Sequence, residues 1–207
     1  MENLLLTPEL SVHRLRLVEG MVAAVDEKGY AATTIADIVR HARVSKRTFY
    51  EHFADREQCF LACYSYGSEL ALASLTLAAT ECDGPWTEQV RAAAQAYLRT
   101  LEVNPTLTRT LIVEVHAAGP RALALRRTVL QRFADVLRER VEDGRQQHPE
   151  VRSLTPAMSI ALVGGINELV LHTVEQGHTD QLTALSDTVA ELVQAALSPR
   201  GSDAPAG

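Results

Sequence analysis

The chain has 207 residues, 46% apolar and 22% charged, a composition that can bury a core and argues against a disordered or membrane-embedded protein. No apolar run approaches the roughly 18 residues needed to cross a bilayer, and the opening MENLLLTPEL is acidic where a secretory signal is basic, so a cytoplasmic protein is expected. A net charge of −6 argues against indiscriminate nucleic-acid binding, and three cysteines without a CxxC pair argue against a disulfide framework or a standard zinc site.

A first helix is predicted from about Pro8 to Lys28, with Leu15, Val18, Val22 and Val25 on one face and Gly29 able to end it. A second follows, capped by Thr33 or Thr34, with Ile35, Ile38, Val39 and Ala42 at i, i+3, i+4 and i+7. Ser45 is placed to cap a third, whose Phe49 and Phe53 lie one turn apart and face inward with Val44. From Asp55 a long fourth helix runs to about Thr80, with a weak point at Gly67 that is either a bend or a tolerated surface glycine. Breakers at Gly84-Pro85, Asn104-Pro105, Gly119-Pro120, His148-Pro149 and Gly177 divide the remainder into further helices. The last two are expected over Thr155 to Gln176, with Ile160, Val163 and Val170 on one face, and over Thr179 to Leu197, with Leu182, Leu185, Val189 and Val193 on another. No strand alternation occurs, so the expected fold class is all-α with about nine helices. The tail beyond Ser198 has a disordered composition.

The segment Thr33 to Arg56 carries the chemistry. Arg40, Arg43, Lys46, Arg47 and Arg56 against Asp37, Glu51 and Asp55 give it +2, leaving −8 for the remainder. A turn of about 100° per residue sets Arg47, Thr48 and Glu51 opposite the buried phenylalanines, with Lys46 and Tyr50 on one flank and His52 on the other. Arg47 suits a bidentate contact to guanine, Thr48 a phosphate or a thymine methyl, and Lys46 and Tyr50 phosphate oxygens. Glu51 either accepts from cytosine or pairs with Arg47 at i+4, and pairing is the favoured reading. Spacing alone does not separate this surface from an ordinary charged helical hairpin.

The residues add a resemblance. Thr33-Thr34-Ile35, Ile38, Val44-Ser45, Phe49-Tyr50 and His52-Phe53 are similar to the signature of the TetR (tetracycline-repressor-like) family of bacterial transcription regulators, over about the first quarter of the chain. The resemblance implies a helix-turn-helix DNA-binding domain over 1–54, a helical effector-binding and dimerisation domain over 55–198, and a tail over 199–207. It implies DNA contacts from Thr34, Ser45, Lys46, Arg47, Thr48, Tyr50, His52 and Arg56. It further implies a homodimer through the last two helices, where Gly164 and Gly165 allow close approach or else pack on the chain's own core. A small-molecule effector between the middle helices would release operator DNA by tilting the fourth helix. Candidate pocket residues are Tyr64, Tyr97, His116, Met158, Asn167 and His172, and the aliphatic helices favour a largely apolar or cationic ligand. Two positions depart from the family pattern: Arg43 stands where a glycine is usual in the turn, so the turn is strained or takes another path, and Arg56 stands for a lysine.

Other classes find less support. The chain has no GxSxG, GxxxxGK[ST], GxGxxG or HExxH, so neither an enzyme nor a cofactor or catalytic metal is expected. Cys59 and Cys63, one turn apart on the fourth helix, could form a thiol or metal sensor. A regulator that binds DNA without any effector is the remaining alternative.

Overall fold

The computed structural model describes residues 12–198, so the expected start of the first helix and the tail over 199–207 lie outside the described residues. In chain order the elements are α1 (Val12–Ala32), α2 (Ile35–Ala42), α3 (Lys46–His52), α4 (Arg56–Glu81), α5 (Trp86–Glu102) and α6 (Pro105–Ile112). A short 3-10 turn (Glu114–His116), α7 (Pro120–Arg145), α8 (Pro156–Glu175), a 3-10 segment (Thr179–Leu185) and α9 (Ser186–Leu197) complete them. The described residues form nine α-helices and no strand, the all-α class expected. Each Gly-Pro or Asn-Pro breaker falls at a helix boundary, because proline lacks the amide a helix interior requires.

The chain divides into two compact units, residues 12–69 with 104–126, and residues 70–103 with 127–198. The first holds α1 to α3, the start of α4, α6 and the start of α7, so it extends well beyond residue 54. Its centre is Leu17, Met21, Ile38, Phe49, Phe53 and Phe60, all under 2% exposed, and each such side chain contributes about 1.5–3 kcal/mol on burial. Gly20 makes the crossing of α1 over α2 possible, since a Cβ there would lie 2.6 Å from the Ile38 carbonyl oxygen and 2.9 Å from Ala42. The buried stripe of α1 is Leu17, Val18, Met21, Ala24 and Val25, while Leu15 and Val22 stay half-buried. α1 packs against α2, α3 and α6, so its apolar arc is rotated from the one that spacing alone suggests.

Gly67 proves to be neither a bend nor a surface glycine. It is buried in an unbroken α4, and a Cβ there would run into Leu111 Cδ1 of α6. Cys59 and Cys63 belong to the same core at 0% exposure, and the Cys59 thiol donates to the Leu17 carbonyl at 3.7 Å. Burial raises both thiol pKa values, that of Cys63 to about 12. No group of three or more potential metal ligands occurs among the described residues.

The second unit is built on Val141, Val151, Leu154, Leu162, Val193 and Leu197, with Trp86, Val90 and Met158 packed against them. On α8 the structure corrects the expected face. Ser159, Leu162, Asn167, Val170 and Val174 are buried, whereas Ile160 is 36% exposed. By length and composition α8 could also cross a bilayer, contrary to the sequence expectation. The last expected helix is shorter than predicted, because Thr179–Leu185 winds as 3-10. That tighter path buries Leu182 completely and brings the Thr183 amide to the Glu102 carboxylate at 2.6 Å.

Two measurements check this packing. Gly67→Ala gains helix propensity but overpacks Leu111, so a net loss of about 1–2 kcal/mol is expected in denaturant unfolding; equal or greater stability would refute the close-packing role. In the native protein a thiol reagent should modify Cys82, which is partly exposed, and spare Cys59 and Cys63 until denaturant is added. Rapid native labelling of all three would revive the sensor reading.

Candidate nucleic-acid interface

Local hydrogen bonds fix α2 and α3. Thr34, and not Thr33, caps α2: its hydroxyl accepts from the Asp37 amide at 3.3 Å, and the Asp37 carboxylate accepts from the Thr34 amide at 2.9 Å, closing a capping box. Thr33 is buried, and its hydroxyl donates to the carbonyls of Ala24 and Gly29 at 3.1 and 2.8 Å, tying down the end of α1. Lys28 reaches Asp37 at 2.8 Å, and this ion pair with the Thr34 bonds holds the Asp37 carboxyl well below the usual carboxylate range. The cap therefore contributes fully above the usual carboxylate range and is lost progressively as pH falls from that range through the lowered folded value.

Between the helices the chain turns through Arg43, whose φ of 53° and ψ of 45° are left-handed. Of the two paths open to a non-glycine turn, the strained one is taken, at roughly 1–2 kcal/mol relative to right-handed backbone. The Arg43 amide still donates to the Arg40 carbonyl at 3.3 Å and closes α2. Ser45 then caps α3, accepting from the Thr48 amide at 3.0 Å, and the two hydroxyls lie 3.0 Å apart.

Two turns of α3 present an inner and an outer face. Phe49 is fully buried, 5.8 Å from Phe53 between ring centres. The Arg14 guanidinium covers the Phe53 ring at 4.5 Å and donates to the His52 carbonyl at 3.2 Å, fixing α3 to α1. On the outer face Tyr50 is 58% exposed, the Arg47 side chain is 90% exposed and Lys46 is exposed. Arg47 Nε donates to Glu51 Oε1 at 3.2 Å, the pairing that the i+4 spacing favoured. That bond leaves the two terminal nitrogens of the guanidinium for a base edge. His52 is half-buried with its ring 6.4 Å from that of His13, at the edge of the face.

Arg56, expected at a phosphate, makes contacts within the chain. Its guanidinium turns inward, donating to the carbonyls of Tyr30 at 3.0 Å, of Ala31 at 3.4 Å and of Thr33, while stacking 4.3 Å from the Tyr30 ring centre. Lysine lacks the flat face that stacks on Tyr30 here. The Glu114 carboxylate accepts from the Tyr30 amide at 2.8 Å, so the 3-10 turn after α6 also reaches the α1–α2 junction. Nothing in the sequence around Glu114 signals that role, because its partner lies 84 residues away.

The expected effector residues fall in both units. Tyr64 is buried on α4 in the first unit, its phenol pushed up to about 12 by burial, and His116 of the same unit is exposed with Nδ1 3.2 Å from the Val113 carbonyl. In the second unit Tyr97 packs edge-on to Phe133 at 5.9 Å, Met158 lies against the α8–α9 core, Asn167 is 7% exposed and His172 is exposed, 3.0 Å from Gln176. An open groove of about 510 Å³ on α7, lined by Arg127, Thr128, Gln131, Arg132 and Asp135, includes none of them.

Residues 20–63, from within α1 to within α4, match the family model for bacterial regulatory proteins of the tetR family. A search of curated proteins found no match. Among solved structures, the fatty acid degradation regulator FadR of Bacillus halodurans is similar over 93% of this chain and 100% of its own, at 18% identity and a TM-score of 0.80. The FadR of Bacillus subtilis, in complex with stearoyl-CoA, is similar over 88% and 98% respectively, at 16% identity and 0.75. A TetR family transcription regulator from Marinobacter aquaeolei VT8 is similar over 91% and 97%, at 19% identity and 0.67. The likenesses show a shared fold. The matched segment coincides with the capped helix-turn-helix built above, so it is this part of the chain that is similar to bacterial regulatory proteins of the tetR family.

Proposed function

We propose that the chain is a cytoplasmic repressor that binds operator DNA as a homodimer and is released by a small molecule with a long apolar portion. The observation that carries the DNA reading is the outer face of α3. There Lys46, Arg47 and Tyr50 project from a helix whose opposite side is locked by Phe49, Arg14 and Phe53. A locked helix presents its side chains to the major groove without an ordering cost at each encounter. Within this proposal Arg47 reads guanine, Lys46 and Tyr50 hold phosphates, and Thr48 lies over the same strand. Thr34 and Ser45 contribute chiefly as caps, and Arg56 positions the α1–α2 junction.

One recognition helix contacts few base pairs, so useful specificity needs two, about 34 Å apart or a multiple of that. α8 and α9 supply the proposed contact surface between copies. A Cβ at Gly164 or Gly165 would meet nothing within 4 Å of this chain, so the reading in which these glycines pack on the chain's own core has no support. Ile160 and Leu192, 36% and 38% exposed, add apolar area on the same two helices. Burial between copies would also account for a helix as apolar as α8 in a DNA-binding protein.

For the effector we favour a long acyl chain. The helices are lined with Leu, Val and Ala, and a structure of the same fold is described with stearoyl-CoA. Buried, protonated Cys59 and Cys63 give the thiol or metal sensor no support. Release requires only that ligand bind the DNA-incompetent conformation more tightly.

Anisotropy titrations on a duplex enriched from random sequence by the wild-type protein test this reading. Arg47→Ala should weaken binding by about 1–3 kcal/mol and relax base preference. A panel of stearoyl-CoA, free long-chain fatty acids and cationic amphiphiles should contain a compound that lowers affinity by roughly 5- to 150-fold; an unchanged affinity at saturation by a bound ligand would leave a regulator without effector control. Separately, Gly165→Glu should shift the light-scattering mass from dimer toward monomer while cooperative unfolding is retained. A variant that stays fully dimeric would remove α8 from the interface.

A further inference from the structure

Arg43 is the one non-glycine residue with positive φ among the described residues. Its backbone duty, closing α2 through its own amide, is one that glycine performs without strain. The side chain is exposed and makes no ion pair with a described residue. Nothing inside the described chain therefore offsets the strain, and a residue held in such a conformation points to a use outside it.

The surrounding charges narrow that use. Between residues 28 and 56, Lys28 is held by Asp37 and Arg40 by Glu27, while Arg56 is held by three carbonyls and Tyr30. Arg47 is tethered to Glu51. Arg43 and Lys46 are left as the cations of this segment without an internal partner among the described residues, and they flank Ser45, the N-cap of α3. A head with so few free cations on an acidic chain needs each of them to neutralise phosphate.

We propose that Arg43 clamps a DNA backbone phosphate beside the half-site read by α3, and that this contact keeps a strained arginine in the turn. The proposal rests on the reading of α3 as the recognition helix. A guanidinium fork matches two phosphate oxygens, and in a helix-turn-helix the helix before the recognition helix crosses the sugar-phosphate backbone; Arg43 closes the end of that helix, α2. The contact adds affinity and register rather than base preference.

The test is the salt dependence of binding to the duplex enriched by the wild-type protein, compared among wild type, Arg43→Gly, Arg43→Lys and Lys46→Ala. Arg43→Gly should unfold at the same or a higher temperature. Its plot of log affinity against log salt should be flatter by about 1.8 per dimer, one phosphate from each copy at roughly 0.9. Arg43→Lys should keep the wild-type slope. If Arg43→Gly keeps the wild-type slope while Lys46→Ala flattens it, the α3 reading stands and the Arg43 contact is wrong. If the wild type enriches no duplex, or neither variant changes the slope, the recognition-helix reading falls and this inference with it.

Discussion

The Arg56 guanidinium, laid on the Tyr30 ring and donating to the carbonyls at the end of α1, is the interaction on which the rest of the reading head depends. Helix ends leave carbonyls without intrahelical partners, and α1 turns away at Gly29, which has a φ of 77°. Arg56 meets that need from the first turn of α4, and Glu114 meets the Tyr30 amide from beyond α6. Four segments of chain thus converge on one junction of a few residues. Where α2 begins, and hence where α3 is carried, follows from how that junction closes.

The parts legible in the sequence are those whose causes are local. Thr34 with Asp37, Ser45 with Thr48, and Phe49 with Phe53 each act within four residues, so spacing reveals both the helices and their outward faces. The Arg47–Glu51 pair belongs to the same class. What spacing misreads is decided by packing at a distance. Ile160 looks like a core residue on period alone, yet Ser159, Leu162, Asn167 and Val170 face the interior, because α8 is apolar nearly all round and its pattern does not choose a side. Gly67 looks dispensable until Leu111 lies over it, and Arg56 looks like a phosphate ligand until Tyr30 appears beneath it.

Charge follows the same division. The segment from Thr33 to Arg56 is basic by count, but most of its cations already have a partner in the chain: Glu27 for Arg40, Glu51 for Arg47 and backbone carbonyls for Arg56. The unpartnered cationic surface is accordingly narrower than composition implies, and lies at the start of α3. On a chain of net charge −6 such a small cationic surface gives little nonspecific attraction to a polyanion.

The bond between Tyr30 and Glu114 has a consequence for how the protein comes into being. Its partners are 84 residues apart, so at 5–20 residues per second a ribosome makes the second roughly 4–17 seconds after the first. Through that interval the Tyr30 amide is without the Glu114 carboxylate that meets it in the finished fold. The helix-turn-helix precedes Glu114 and gains this bond only once Glu114 has been made. The α1–α2 junction is thus closed by a segment made well after it.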